Sequence, residues 1–309
     1  MKFLLVATVT GFVFYKLIYT YRIDDRLNQT AVTFNSSNFI FLAAAFVLMF
    51  LNWYLEITKW KLLVNKYENI NFKFALKAVL SGIVLGIITP NQIGDFAGRV
   101  IHLQKLNKIK GSFLTAIGHT AQVLMTTIFG MYALIILLAH KDFYNVNNQP
   151  MLAIICFVFQ CLLILGFLNL KSLHNFLIKR KWFSKLEKYF DIFKDFSKSE
   201  LVKVLLISFV RYVVFLFQYY FLLLTFGVNI SFENAMLCVA ASFCVQSVVP
   251  SFLLLDLGLR GATALLFFGE FSANQDGILL AAYSLWVINI MLPALLGLFF
   301  IVQLKYRRS

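Results

Sequence analysis

Two short runs in this chain place an acid and a base one helical turn apart within otherwise apolar sequence. Asp95 and Arg99 follow Pro90, and Asp256 and Arg260 follow Pro250. At i, i+4 spacing each pair can close a salt bridge on one helix face. An ionisable side chain at bilayer depth costs about 2.5–3.5 kcal/mol on insertion scales, and such residues mark substrate pathways. Mutual pairing lowers that cost, yet leucine would insert more easily than either partner. The chemistry these residues offer is electrostatic: Arg99 and Arg260 can hold a phosphate or carboxylate, with Asp95 and Asp256 orienting them.

The first proline opens a polar turn, Thr89-Pro90-Asn91-Gln92-Ile93-Gly94. Pro90 lacks a donor and Gly94 permits positive φ, so the turn is expected to stop one half-helix and start another. The second half-helix would present free N–H groups to an anion, with Asn91 and Gln92 beside them. Pro250 and Gly258 are the expected turn residues of the second, more apolar run. Further polar residues recur at helical spacing in apolar runs: Thr115, His119, Gln122 and Thr126; Ser208, Arg211 and Gln218; Tyr283, Trp286 and Asn289. Asn52 and Glu56 form an i, i+4 pair, and Glu56 is the expected partner of Arg211. His119, Gln122, Glu56 and Arg211 therefore join the candidate substrate-binding set. No catalytic constellation, metal-ligand spacing or nucleotide-binding P-loop is visible, so no cofactor is expected. Cys156, Cys161, Cys238 and Cys244 all sit in apolar runs and read as small buried residues.

The elements that must position these residues are membrane helices. Of 309 residues, 61% are hydrophobic and 14% charged, with a mean hydropathy of +0.80. That composition excludes a soluble domain. A net charge of +14 on a soluble chain would suggest nucleic acid, but here the basic residues lie between apolar runs, where they set topology. Runs at 3–20, 39–57, 113–139, 151–169, 201–224 and 278–302 are long enough to cross a hydrocarbon core of about 30 Å. The stretches 74–104 and 234–271 are broken at their prolines. Read as re-entrant hairpins, with two full crossings as the alternative for 234–271, they leave only Lys16, Arg22, Arg26 and Lys141 in outer loops and put both termini in the cytoplasm. The basic connector 170–200, with Leu186, Tyr189, Phe190, Phe193 and Phe196 near helical spacing, reads as an amphipathic helix on the cytoplasmic surface.

Displacing the sequence by 161 residues lays Asp95 on Asp256 and Arg99 on Arg260. The expected fold is thus an all-α membrane protein forming a single integral membrane domain over 1–309. It has six full transmembrane helices and two re-entrant helical hairpins, in an inverted-topology repeat of approximately 39–139 and 201–302. Broken helices at the midplane of inverted repeats are a transporter architecture.

The run TPNQIGDFAGRV from Thr89 to Val100, the Trp-Lys-Leu-Leu string at Trp60, and VPSFLLLDLGLRG from Val249 to Gly261 resemble the lysylphosphatidylglycerol synthase transmembrane-region family of flippase-like membrane proteins. The resemblance covers essentially the whole chain. It implies a bacterial plasma-membrane protein that moves lipids, with Asp95, Arg99 and Arg260 as motif residues. This chain has Asp95 where the family often has Glu, and Gly261 where it often has an acid. The expected function is translocation of a phospholipid or lipid-linked headgroup through a polar cleft between the hairpins, without catalytic chemistry. The alternative is an ion-coupled secondary transporter of a small soluble anion; a membrane enzyme acting on a lipid-linked substrate and an accessory anchoring subunit are the other rivals. Expected partners are membrane phospholipid of anionic headgroup, no nucleic acid, and a second copy or a separate lipid-modifying enzyme.

Overall fold

The computed structural model describes residues 36–140, 149–179, 190–250 and 253–306. Among these every regular element is helical. The long helix α1 (Ser36–Val64) leads into α2 (Phe72–Ile87), then a 3-10 turn (Pro90–Gln92) and the short α3 (Ile93–Val100). Next come α4 (Lys108–His140), α5 (Gln149–Leu168) and α6 (Leu170–Ile178). The order of long helix, shorter helix, proline break and helix then recurs as α7 (Lys198–Thr225), α8 (Phe232–Val248) and α9 (Leu253–Phe268). The last stretch is α10 (Gln275–Trp286), a π segment (Val287–Met291) and α11 (Leu292–Tyr306).

Local capping explains several of these starts. Asn71 Oδ1 accepts the Phe74 N–H at 2.8 Å, at the head of α2. Ser231 occupies the matching place before α8, accepting from Asn234. Ser197 and Glu200 close a reciprocal capping box on α7, and Asn274 caps α10 through Gly277. Each side chain satisfies a backbone donor that the first helical turn leaves unpaired.

Among the described residues four helical stretches are long and apolar enough to cross a membrane: 38–64, 108–139, 150–168 and 275–302. The expected span 201–224 is one continuous 28-residue helix, α7, but it is not among those four. The expected span 3–20 lies outside the described residues. Helix α3, with eight residues, rises only about 12 Å. The 16 and 17 residues of α2 and α8 rise about 24–26 Å, short of the hydrocarbon thickness.

Helix α1 packs along α7, joining the two halves. Helix α2 packs on α3 and on α11, and α8 packs on α9 and on α4, so each shorter helix meets its own partner limb and the last long stretch of the other half. Two apolar cores result. One gathers Trp60, Leu63, Ala78, Leu114, Leu201 and Val204; the other gathers Met49, Leu222, Val239, Phe268, Ile278 and Leu285. Trp53, Leu216 and Phe243 pack against both. Along α1 the polar residues Asn52 and Glu56 fall between Met49 of the second core and Ile57 of the first, and along α7 Ser208 and Arg211 interrupt the first core between Leu205 and Tyr212. Outward, α5 exposes Ile154, Phe157, Leu162 and Leu165, and α11 exposes Leu295 and Phe299, a surface that only an apolar solvent would cover.

The proline turn differs from expectation in detail. Gln92, not Gly94, takes the left-handed conformation, with φ 55°. Gly94 lies inside α3, where a Cβ would strike the Leu85 carbonyl, and a Cβ on Gly98 would meet the backbone of Ser81 and Gly82. These glycines serve close approach of the two limbs. Gly258 is likewise helical, within α9, and not a turn residue; Pro250 ends the first limb of its hairpin, while Ser251 and Phe252 lie outside the described residues.

The connector also departs from a continuous surface helix. It begins with α6 and resumes in a 3-10 turn at Asp191–Lys194; Leu186 and Tyr189 lie outside the described residues. Phe190 and Phe193 pack on Phe113 of α4, and Phe196 is buried in the first core. The aromatic side chains at the end of this segment thus pack on protein, while Leu173 and Phe176 of α6 stay exposed, and Tyr67 ties that end down by donating to Asp195 at 2.6 Å.

Glu68, in the turn after α1, anchors the far end of the first hairpin. Its carboxylate accepts the backbone N–H groups of Gln104, Lys105 and Leu106 at 2.9–3.1 Å. Burial pushes its pKa up, but these donors and the nearby Lys105 charge outweigh it, so the carboxyl sits below its ordinary 4.5. The stabilisation is therefore complete above that ordinary value and disappears as pH falls through the lower folded value. Thermal midpoints of the detergent-solubilised protein should decline with acid in that window. Glu68→Gln should lower the midpoint at neutral pH and flatten the decline; an unaltered acid profile would assign it to other groups.

Candidate functional site

The polar residues of α1, α3, α4 and α7 meet in one network between the two cores. Glu56 is its hub. Its carboxylate lies 2.9 Å from Lys59 Nζ, 2.8 Å from Arg99 Nη1 and 2.8 Å from Arg211 Nη1. Glu56 is 6% exposed, Lys59 1% and Arg99 4%, which leaves little water to screen these charges. The Glu56–Arg211 pairing expected from the sequence is present. Helix spacing alone joins Glu56 to Lys59, one turn apart on α1, whereas Arg99 and Arg211 reach it from α3 and α7.

Asp95 forms the second node. Arg99 Nε donates to its carboxylate at 2.9 Å, and His119 Nε2 of α4 lies 2.6 Å from Oδ2. The Phe96 ring stacks on the imidazole, with centroids 5.3 Å apart. On the other side, Arg211 Nε donates to Asn52 at 2.6 Å and Arg211 Nη1 to Gln122 at 3.3 Å. Asn52 donates to Asn289, which donates to Gln218, which donates to the Ala45 carbonyl. Asn289 sits in the π segment; the extra residue in that turn interrupts the α register, a distortion frequent at functional sites.

This network borders a cavity of about 310 Å³, lined by Glu56, Lys59, Asp95, Arg99, His119, Gln122, Arg211, Asn289 and also by Arg260. A second cavity of about 330 Å³ shares Gln92, Gln246, Ser247 and Arg260 with it and adds Asp256 and Trp286. Arg99 and Arg260, one from each hairpin, thus face a common space. Their states differ. Arg99 is buried between two carboxylates, whereas the Arg260 and Asp256 side chains, 2.8 Å apart, keep 15% and 14% of their surface. Arg211 keeps 19% and His119 35%. Arg260, Arg211 and His119 are therefore the more open basic groups of the cavity wall, and Arg99 bridges Asp95 and Glu56 with little exposure of its own.

Other expectations resolve individually. Gln92 is exposed at the rim of both cavities; the Asn91 side chain lies outside the described residues. The start of α3 is less open to an anion than expected, because Thr89 Oγ1 already accepts the Gly94 N–H at 2.7 Å. Thr115 is buried against Trp60 and takes no part in the cavity wall. The four cysteines are free, three of them buried. No group of residues able to hold a metal ion occurs among the described residues.

Lys59, just past the apolar run 39–57 and so counted with the basic residues between runs, is instead buried inside α1. Its position one turn after Glu56 carried the signal, since a lysine buried in a helix needs an acid nearby. Gln246 and Ser247, at the end of α8, also line the cavities without having been singled out. Four and three residues ahead of Pro250, they match in position Gly86 and Ile87 ahead of Pro90, which line the same cavities.

No curated protein and no solved structure shows a significant similarity to this chain. A family model, the lysylphosphatidylglycerol synthase TM region, matches residues 4–297. Together with the long apolar helices, that match makes the chain an integral membrane protein of the lysylphosphatidylglycerol synthase TM region family.

Proposed function

We propose that the protein is a lipid translocase: the phosphate-bearing headgroup of a phospholipid enters the cavity between the two proline-broken hairpins while its acyl chains stay in the bilayer. The observation that carries this reading is the convergence of Arg260 from one hairpin, and the Asp95–Arg99 pair of the other, on one cavity that Arg211 also lines. Cationic forks at mid-helix, oriented by buried acids, suit a phosphate and would be needless in a purely structural bundle. In this reading the chain makes six crossings, with α1, α4, α5, α7 and α10–α11 joined by the N-terminal run, and α2–α3 and α8–α9 are re-entrant. The short rise of α2, α3 and α8 supports that assignment, since none spans about 30 Å.

The two halves then form an inverted repeat. Displaced by 161 residues, Ser36–Val64 falls on 197–225, where α7 occupies Lys198–Thr225, and Phe72–Ile87 falls on 233–248, where α8 occupies Phe232–Val248. A bacterial plasma membrane, with both termini cytoplasmic, is the proposed setting, and transport proceeds without bond chemistry.

The test is a cysteine placed in the shared wall. Gln246→Cys protein in proteoliposomes should move labelled phosphatidylglycerol between leaflets until a bulky charged methanethiosulfonate reagent is added, and should then slow to the rate of protein-free vesicles. The unsubstituted protein, whose cysteines are mostly buried, is the control. Full activity after stoichiometric modification of the introduced thiol would remove the cavity from the lipid path.

A further inference from the structure

His119 stands apart in the cavity wall. It is the one imidazole among the lining residues, the side-chain type that most readily exchanges a proton around neutrality. It is also the most exposed member of the charged network, and its one polar contact given by the structure is to Asp95. The same cavity is lined by Glu56 and Lys59 from α1, Asp95 and Arg99 from α3, Arg211 from α7 and Arg260 from α9, the last paired with Asp256 in the adjoining cavity. Counted formally among the described residues, four cations line these cavities with three carboxylates, an excess of one positive charge while the imidazole is neutral. Each acid already has a basic partner, so the unbalanced charge calls for a single anion. A phosphodiester carries one negative charge.

We infer that His119 binds a proton together with that anion, so that the site takes up a phosphodiester headgroup and a proton as a coupled pair. The inference rests on the proposed translocase and names its coupling ion. An anion drawn to Arg211 and Arg260 adds negative potential beside His119 and favours the imidazolium. By linkage, a protonated His119 must strengthen binding of the anion by the same factor. The imidazolium is held from behind by Asp95, whose own orientation is fixed by Arg99. The proton comes from water on the loading side and returns to water on the release side, so no other reactant is needed. Proton and headgroup then travel in the same direction, and a pH gradient supplies a driving force to a chain without a nucleotide-binding loop.

Calorimetric titration of the detergent-purified full chain tests this, using dihexanoyl phosphatidylglycerol and, separately, glycerophosphoglycerol, the same phosphodiester without acyl chains. Neither probe titrates near neutrality. Runs in two buffers of different ionisation enthalpy read the protons taken up per ligand, expected to reach up to about one between about pH 6 and about pH 8. His119→Gln should bind with no uptake, and the native affinity should tighten as pH falls. Uptake with the lipid probe alone supports coupling at a lipid site; uptake with both supports coupling at a site that reads the headgroup by itself. Binding without proton uptake, uptake that persists in His119→Gln, or a native affinity flat across this range would overturn the inference and leave the translocase standing. If neither probe binds, the proposed translocase falls and the inference with it.

Discussion

Glu56→Gln protein should be destabilised by about 3–5 kcal/mol, the usual consequence of removing one partner from a buried ion cluster. The amide keeps the shape of the side chain but not its charge. Lys59, Arg99 and Arg211 would then share the space with Asp95 as the remaining acid of that network, and Lys59, 1% exposed, would lose its only ion pair among the described residues. Like-charge repulsion between three cations adds to the uncompensated desolvation. Because α1, α3 and α7 are joined at this carboxylate, the loss should appear as a lower thermal midpoint in detergent and as early aggregation. The double variant Glu56→Gln with Lys59→Met should recover part of it, since the most deeply buried cation is gone. A Glu56→Gln protein as stable as the native one would mean that water, not the carboxylate, balances these charges.

Arg260→Ala has the converse signature. Its pair with Asp256 is partly exposed, so the fold should lose little. Transport should lose much more, because a hydrogen-bonded charge contributes about 1.5–3 kcal/mol, equivalent to roughly ten- to hundredfold in rate or affinity. Arg260→Lys should restore only part of the activity, as an ammonium cannot reproduce the two-pronged guanidinium contact with a phosphate. Measured as lipid movement in proteoliposomes at matched protein content, a Lys variant no better than Ala would point to fork geometry, and an Ala variant of native activity would take Arg260 out of the ligand path.

Much of the site was legible because charge in apolar sequence is rare and helical spacing is rigid. The Asp-x-x-x-Arg pairs, the Glu56–Arg211 contact and the inward placing of His119 and Gln122 all follow from those two facts. Other features were not legible for physical reasons. Helix α1 continues to Val64, beyond the apolar run that ends at Ile57, because the Glu56 carboxylate lets Lys59 remain inside. Basic residues counted as loop markers can therefore belong to the helix. Left-handed backbone is ordinarily given to glycine, yet Gly94 and Gly98 are needed where the limbs touch, and the strain falls on Gln92. The connector showed a helical apolar face, but sequence alone does not say whether lipid or protein covers such a face; here Phe113 and the first core do. Nor could spacing reveal that Arg99 and Arg260, alike in sequence, differ in burial. That difference comes from Glu56, whose counterpart at the same displacement in the second half is Phe217.

The measurement that bears most directly on the central claim is transbilayer movement of acyl-labelled phosphatidylglycerol in proteoliposomes, followed by quenching of the outer leaflet, for native protein, folded Arg260→Ala protein and protein-free vesicles. The account predicts fast movement with native protein, and movement slowed at least about tenfold by the substitution. Native vesicles no faster than protein-free ones would contradict it and leave the cavity to a small soluble anion.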